Sequence, residues 1–322
     1  MNHQQTEEGL IGISVRDTVV RMTETITSGQ GRQIVKVVRG SVRYPMELTS
    51  LEKSDFAKVL SDDINRLYEM AGMRTTRAAI SLDSDMVLIK KIPLDANLEG
   101  EELREHIHWE VSQYVINPID HFNIGYQTLN VGTNSEYERA MVLVLIRKQV
   151  VESIKELFAG TSMQLRAIDV DIFSAQRVIE TTYNFEAEKK VALVDIRKKN
   201  VQLSILYNDY YLSQEVGYPI DEDGTFSTEN GEHLARIISK ELRRVILDNK
   251  LGKSIEDMHE ILLYGDAVDD VVIETLSSAH AINIRKVNPF EKITIIATPE
   301  EQEVTDHPEA YVTSVGVAIK GL

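Results

Sequence analysis

The chain has 322 residues and a mass of 36.4 kDa, with 43% hydrophobic and 27% charged residues, enough for two domains or one bilobal unit around a large core. Its formal net charge of −16 argues against a nucleic-acid or anionic-lipid surface, and zero cysteines exclude disulfides, thiolate catalysis and cysteine–zinc sites and fit a reducing cytoplasm. No run approaches the ~18 apolar residues of a membrane span and residues 1–9 are too polar for a signal peptide, so membrane association is expected only through a partner.

In chain order, residues 10–15, 19–27 and 33–38 read as strands, the last two joined by the hairpin signal Ser28-Gly29-Gln30-Gly31. A helix is expected from Thr49, where Thr49 and Glu52 have capping-box spacing. Phe56, Val59, Leu60, Ile64, Leu67 and Ala71 give it one apolar stripe and Gly72 its stop. Residues 77–82 and 86–92 read as strands. Residues 99–115 form an amphipathic helix with Leu103, Ile107, Val111 and Tyr114 on one face. Asn117-Pro118 ends it, because the residue before proline is pushed out of the helical region. Strands at 121–131 and 140–146 flank a loop at 132–135. A helix at 148–158 closed by Gly160, a strand at 165–170 and a helix at 172–182 capped by Asp171 complete the half.

After the charged stretch 186–190, residues 191–196 read as a buried strand, and 201–207 with 210–216 as a hairpin turning at Asn208-Asp209. Residues 221–230 are a polar loop. A long helix at 232–249 turns Leu234, Ile238, Leu242, Val245 and Ile246 inward. A strand at 261–264, a helix at 269–279, a strand at 282–287, an acidic loop at 302–307 and a final helix at 310–320 follow. Both halves open on a meander of strands and pass into helices, which predicts a duplicated α/β architecture.

Few constellations carry chemistry. His106 and His108 stand two apart on a helix and diverge, and His106 with Glu110 reads as a solvated pair. Asp169 and Asp171 sit at a strand end suited to a metal, but capping by Asp171 is the preferred reading. The sequence has no Gly-x-Ser-x-Gly, Walker A or Gly-x-Gly-x-x-Gly stretch. Arg197-Lys198-Lys199 is the one compact basic patch. Trp109, the single tryptophan, is read as core in preference to a partner anchor.

Residues 104–127 carry a family resemblance. Trp109-Glu110-Val111, Tyr114-Val115-Ile116-Asn117-Pro118 and Gly125-Tyr126-Gln127 stand where the PilM proteins of type IV pilus assembly carry an acidic Glu-Ala-Glu helix, Tyr-Ile-Pro-Phe and Asp-Tyr-Gln. Gly72-Met73 with Ala78-Ala79-Ile80-Ser81, Asn288-Pro289-Phe290 and the run from Ser314 to Leu322 resemble further motifs of that family, in the same order. The resemblance implies an actin-like, ribonuclease H-like duplicated fold, α/β and bilobal, of the kind used by PilM and FtsA. It assigns residues 1–80 and 164–190 to a first lobe and 81–163 to an FtsA-type inserted subdomain. Residues 191–300 would form a second lobe with a shortened outer subdomain, and 301–322 a C-terminal helix returning to the first lobe.

The resemblance also implies an ATP and magnesium site, whose chemistry can be checked residue by residue. Phosphate-gripping hairpins need glycines for close backbone approach, with carboxylates holding magnesium through water. Gly-x-Asp-x-Gly is replaced by Gly12-Ile13-Ser14-Val15-Arg16, and Asp-x-Gly by Asp195-Ile196-Arg197. The adenosine-site Gly-Gly-Gly is replaced by Gly265-Asp266-Ala267, and only residues 218–231 fill the place of a longer subdomain. Gly12, Asp195 and Gly265 are therefore the remnants of a degenerate nucleotide site with no catalytic residue and no required cofactor. Arg16 and Arg197 would either contact phosphate or pair with Asp195 or Asp266.

The function implied is a cytoplasmic scaffold, peripheral to a bacterial inner membrane, in a type IV pilus or related secretion platform. Its partner would be the N-terminal cytoplasmic peptide of a PilN-like single-span protein, with basic residues in that peptide expected from the chain's acidity. Val87, Ile89, Trp109, Tyr114, Ile116 and Pro118 are the candidate lining of its groove. Pilus motor ATPases and a second copy of the chain are further candidate partners; nucleic acid is not. The alternatives are a working actin-fold ATPase or sugar kinase, which would need the missing glycines and carboxylates, and a type II secretion L-like cytoplasmic domain.

Overall fold

The computed structural model describes residues 9–29, 31–95, 97–129, 138–183, 186, 188–207, 210–217, 228–296 and 302–321. The chain divides into two compact units, residues 1–178 with 292–304 and 313–322, and residues 179–291 with 305–312.

In the first unit, β1 (Leu10–Arg16), β2 (Val19–Ser28) and β3 (Gly31–Ser41) form an antiparallel meander. β4 (Arg77–Leu82) pairs parallel with β1, and β8 (Gln164–Val170) parallel with β4, giving the order β3-β2-β1-β4-β8. β1 is covered on both faces and therefore reads as a near-continuous apolar run. Ile11, Ile13 and Val15 point into a cluster with Phe56, Leu60 and Ile64 of α1 (Phe56–Met70) and with Val150, Ile154 and Leu157 of α3 (Lys148–Ala159). The opposite face carries Leu10, packed with Val317 of α8 (Val312–Ala318).

Between β4 and α3 the chain builds a separate three-stranded antiparallel sheet, ordered β5-β7-β6 from β5 (Val87–Asp95), β6 (Phe122–Leu129) and β7 (Glu138–Arg147). Helix α2 (Gly100–Ser112) lies on one face. Ile107 and Val111 of α2, one helical turn apart, join Ile92, Leu94, Met141, Leu143 and Leu145 in a core of their own.

The second unit repeats the first topology. β9 (Val191–Ile196), β10 (Asn200–Tyr207) and β11 (Tyr210–Gly217) form the meander, β12 (Glu260–Tyr264) and β13 (Asn283–Lys286) add parallel strands, and the order is β11-β10-β9-β12-β13. The predicted inward residues of α5 (Thr228–Asp248) are all at most 2% exposed and pack with α6 (Asp270–Ala279) against this sheet. Asp269 caps α6, its carboxylate accepting from the Val271 N–H at 2.7 Å. The predicted duplication is thus realised in strand order, with no repeated sequence.

Several local expectations fail for identifiable reasons. Thr49 caps no α-helix: its hydroxyl donates to Glu47 at 2.8 Å, residues Ser50–Glu52 make only a 3-10 turn, and α1 begins at Phe56. Asp63, outside the predicted stripe, is buried on α1 because the Arg43 Nε and backbone N–H satisfy it at 3.0 and 2.9 Å. Helix α2 stops at Ser112, so Tyr114 lies beyond it and is 41% exposed instead of completing the inward face. Helix α5 starts at Thr228 instead of 232, and the expected acidic loop at 302–307 holds α7 (Gln302–Asp306). Residues 132–135, 208–209 and 218–227 lie outside the described residues.

Candidate functional site

The ends of β1, β4 and β8 present Arg16, Asp83 and Asp171. Arg16 Nε donates to Asp83 at 3.2 Å and its Nη2 to Asp171 at 3.4 Å. The arginine side chain is only 10% exposed and that of Asp171 1%, so this is a desolvated cation between two carboxylates. Asp171 also accepts from the Ile172 N–H at 2.7 Å, at the first turn of α4 (Asp171–Thr182). Its neighbour Asp169 accepts from Ser174 at 3.2 Å, from Arg177 at 2.9 Å and from Lys320 at 3.3 Å. Neither aspartate is left with an open face for a metal, and no group of three metal-ligating side chains occurs among the described residues.

Gly12 lies inside β1, where a side chain has no room. A Cβ there would fall 2.2 Å from the Ser314 carbonyl oxygen and 2.5 Å from the Ala318 nitrogen. The glycine lets α8 close onto β1, a packing role distinct from phosphate approach.

In the second unit the structure brings Asp195 and Gly265 together. Asp195, fully buried at the end of β9, accepts from the Arg197 Nε at 2.9 Å. Gly265 follows β12 with φ +112°, a conformation that favours glycine, and a Cβ on it would lie 2.4 Å from the Asp195 Oδ1. The predicted pairing of Arg197 with Asp195 is therefore present. Arg16 chooses Asp83 and Asp171, neither of them predicted as its partner.

A different surface is open. Within the first unit, a groove of about 420 Å³ is walled by Leu48, Met86, Val87, Leu88, Tyr114, Val115, Ile116, Phe122 and Leu145, with Asp85, Asn117 and Arg147 supplying polar groups. The helix end builds one wall. Tyr114 and Val115 N–H groups still bond to the Val111 carbonyl, and Val115 packs into the α2 core, which leaves Tyr114 and Ile116 outside. Ile116 is fully exposed, and Lys90 Nζ stands 5.4 Å from the Tyr114 ring centroid.

Of the predicted lining, Val87, Tyr114 and Ile116 meet in this groove; Ile89, Trp109 and Pro118 are not among its walls. Trp109 is not core. It is 60% exposed on α2 and stacks on His106 at 6.4 Å between centroids, because it lies two residues (about 200° of helix) from buried Ile107. Met86 and Leu88 lie within the segment expected to contribute to the groove, residues 80–92, whereas Leu48 and Phe122 were missed. Phe122 follows the short 3-10 turn Ile119–His121, a weak cue in sequence, and Leu48 arrives only through tertiary packing. Asp85 and Arg147 balance one another, so the lining itself supplies no acidic excess for a basic peptide.

Two sheets of matching order, each an antiparallel meander extended by two parallel strands, with helices against them, define an actin-like α/β fold. Residues 12–215 match the family model described as type IV pilus assembly protein PilM, and the chain belongs to that family. A solved "PilM-PilN type IV pilus biogenesis complex" is similar at 18% identity and TM-score 0.74, over 96% of this chain and 97% of that one. The cytoplasmic domain of EpsL, an inner membrane component of the type II secretion system of Vibrio cholerae, is similar at 6% identity and TM-score 0.48, over 97% and 94%. An AlfA filament from a B. subtilis plasmid is similar at 11% identity and TM-score 0.47, over 98% and 99%. No helix among the described residues is long and apolar enough to cross a membrane.

Proposed function

We propose that this chain is a scaffold of a type IV pilus or related secretion platform at the cytoplasmic face of an inner membrane. It holds the N-terminal cytoplasmic peptide of a PilN-like single-span protein. The observation that carries the reading is the open apolar groove beside Ile116, a large aliphatic side chain left fully in water. Burying one such side chain contributes ~1.5–3 kcal/mol, so two or three anchors suffice for a short peptide. The similar solved complex, described as PilM with PilN, supports the partner class.

Absence of ATP hydrolysis is part of the proposal. The residues at the expected magnesium and phosphate positions do not fit that cofactor. Asp195 is held by Arg197, Arg16 by Asp83 and Asp171, and Gly12 lies under α8. Calorimetric titration of the full chain with a synthetic PilN-like tail peptide tests the reading. Saturable binding that Ile116→Asp weakens supports it; binding unaltered by Ile116→Asp and Tyr114→Ala together places the peptide elsewhere.

A further inference from the structure

The second unit carries a groove of a different character. It measures about 430 Å³, runs between α5 and α6, and is lined by Ala235, Arg236, Ser239, Lys240, Arg243, Thr275, Ala279 and His280. Its floor is small and mostly apolar, while its α5 rim carries three cations at positions 236, 240 and 243. The i, i+4, i+7 spacing puts them on one helix face. In a chain of net charge −16 this concentration of positive charge is local and opposite to the whole.

Two features mark it as more than a solvated basic stripe. Two nearby cations are paired, Arg244 with Glu241 at 2.7 Å and Arg285 with Glu260 at 3.0 Å. Arg236 bonds Glu232 at 3.0 Å across the helix surface, but Lys240 and Arg243 form no ion pair among the described residues. Second, a polar side chain is built into the floor. His280 is 7% exposed, its Nε2 lies 2.9 Å from the Ser239 hydroxyl, and its Nδ1 lies 3.1 Å from Glu256. That relay ties α5, the end of α6 and the 3-10 turn Ile255–Asp257 together, so the trough is fixed in shape before anything enters it.

We propose that the α5–α6 groove docks an acidic segment of a partner protein, one that lays an apolar side chain on the floor and carboxylates against the rim. Charge complementarity selects the sign of the occupant. Length selects a peptide over a compact anion: seven residues of helix place Arg236 and Arg243 about 10 Å apart along the axis, a span that one phosphate cannot bridge and an extended or helical peptide can. The small side chains Ala235, Ser239, Thr275 and Ala279 permit close approach of a backbone. The inference is independent of the groove beside Ile116, whose lining sets Asp85 against Arg147.

The test uses the full chain and a fluorescein-labelled peptide of Glu-Ala-Leu-Glu repeats, read by anisotropy. A lysine-for-glutamate version of the peptide and the Lys240→Glu/Arg243→Glu protein serve as controls. Both substitutions lie on exposed side chains, and circular dichroism establishes that the variant is folded. Expected are saturable binding of the acidic peptide, a loss of about tenfold or more in the charge-reversed variant, no binding of the lysine peptide and no change in Ile116→Asp. Absence of binding, or equal binding by wild type and charge-reversed protein, overturns the proposal. Displacement by millimolar inorganic phosphate at constant ionic strength also overturns it, and assigns the groove to a small anion.

Discussion

Replacing Arg16 with methionine removes the cation that bridges the ends of β1, β4 and β8. Asp171, whose side chain is 1% exposed, loses its 3.4 Å partner, and Asp83, 17% exposed, loses its 3.2 Å one. Deleting one member of a buried pair costs ~3–5 kcal/mol because the remaining charge stays desolvated. The lower end applies here: Asp171 keeps the Ile172 N–H at 2.7 Å, and Asp83 retains some water. A loss of ~3 kcal/mol at about 2–4 °C per kcal/mol for a unit of this size lowers its transition by roughly 6–12 °C. Scanning calorimetry is the assay, since two units need not melt as one. Adding Asp171→Asn to Arg16→Met should recover part of the loss, because it removes the stranded charge. An Arg16→Met protein as stable as wild type that has lost ATP binding would refute the reasoning, and would make Arg16 a phosphate ligand.

Three other outcomes follow from the geometry. Gly12→Ala puts a methyl 2.2 Å from the Ser314 carbonyl oxygen, so thermal denaturation should show a loss of ~1–3 kcal/mol from overpacking; unchanged stability contradicts the packing role. Trp109→Ala, at a site 60% exposed, should change stability by less than ~0.5 kcal/mol and leave tail-peptide affinity unaltered, which a denaturation curve and a titration check. The Glu256 carboxyl is held down at about 2, first by its hydrogen bond to His280, then by its own backbone N–H and by Ser254. Its folded value lies below its unfolded one, so its stabilisation is complete above pH ~4.5 and fades as pH falls toward 2. The stability gap between wild type and Glu256→Gln, followed by urea midpoints, should narrow over that window; a gap independent of pH contradicts the assignment.

The strands were legible because both meanders consist of short apolar or alternating runs bounded by turn residues, and pairing adds only their order. Thr49 misled because Glu47 competes for its hydroxyl, a contact that capping-box spacing does not reveal. The exposure of Trp109 was readable in principle: taking Ile107 and Val111 as the buried stripe puts it on the far side of the helix. The Arg16 partners were not readable, since they lie 67 and 155 residues away and meet only when the parallel strands align. Half of the predicted groove lining is found there because Tyr114 and Ile116 mark where the helix breaks before Asn117-Pro118. Leu48 and Phe122 required the fold.

The most direct test of the account is the affinity of the full chain for a PilN-like N-terminal peptide, measured by calorimetry beside its Ile116→Asp variant. Removing one buried aliphatic anchor worth ~1.5–3 kcal/mol predicts a weakening of roughly ten- to hundredfold with the fold intact. Equal affinity in the two proteins, or turnover of ATP by the wild-type chain, contradicts it.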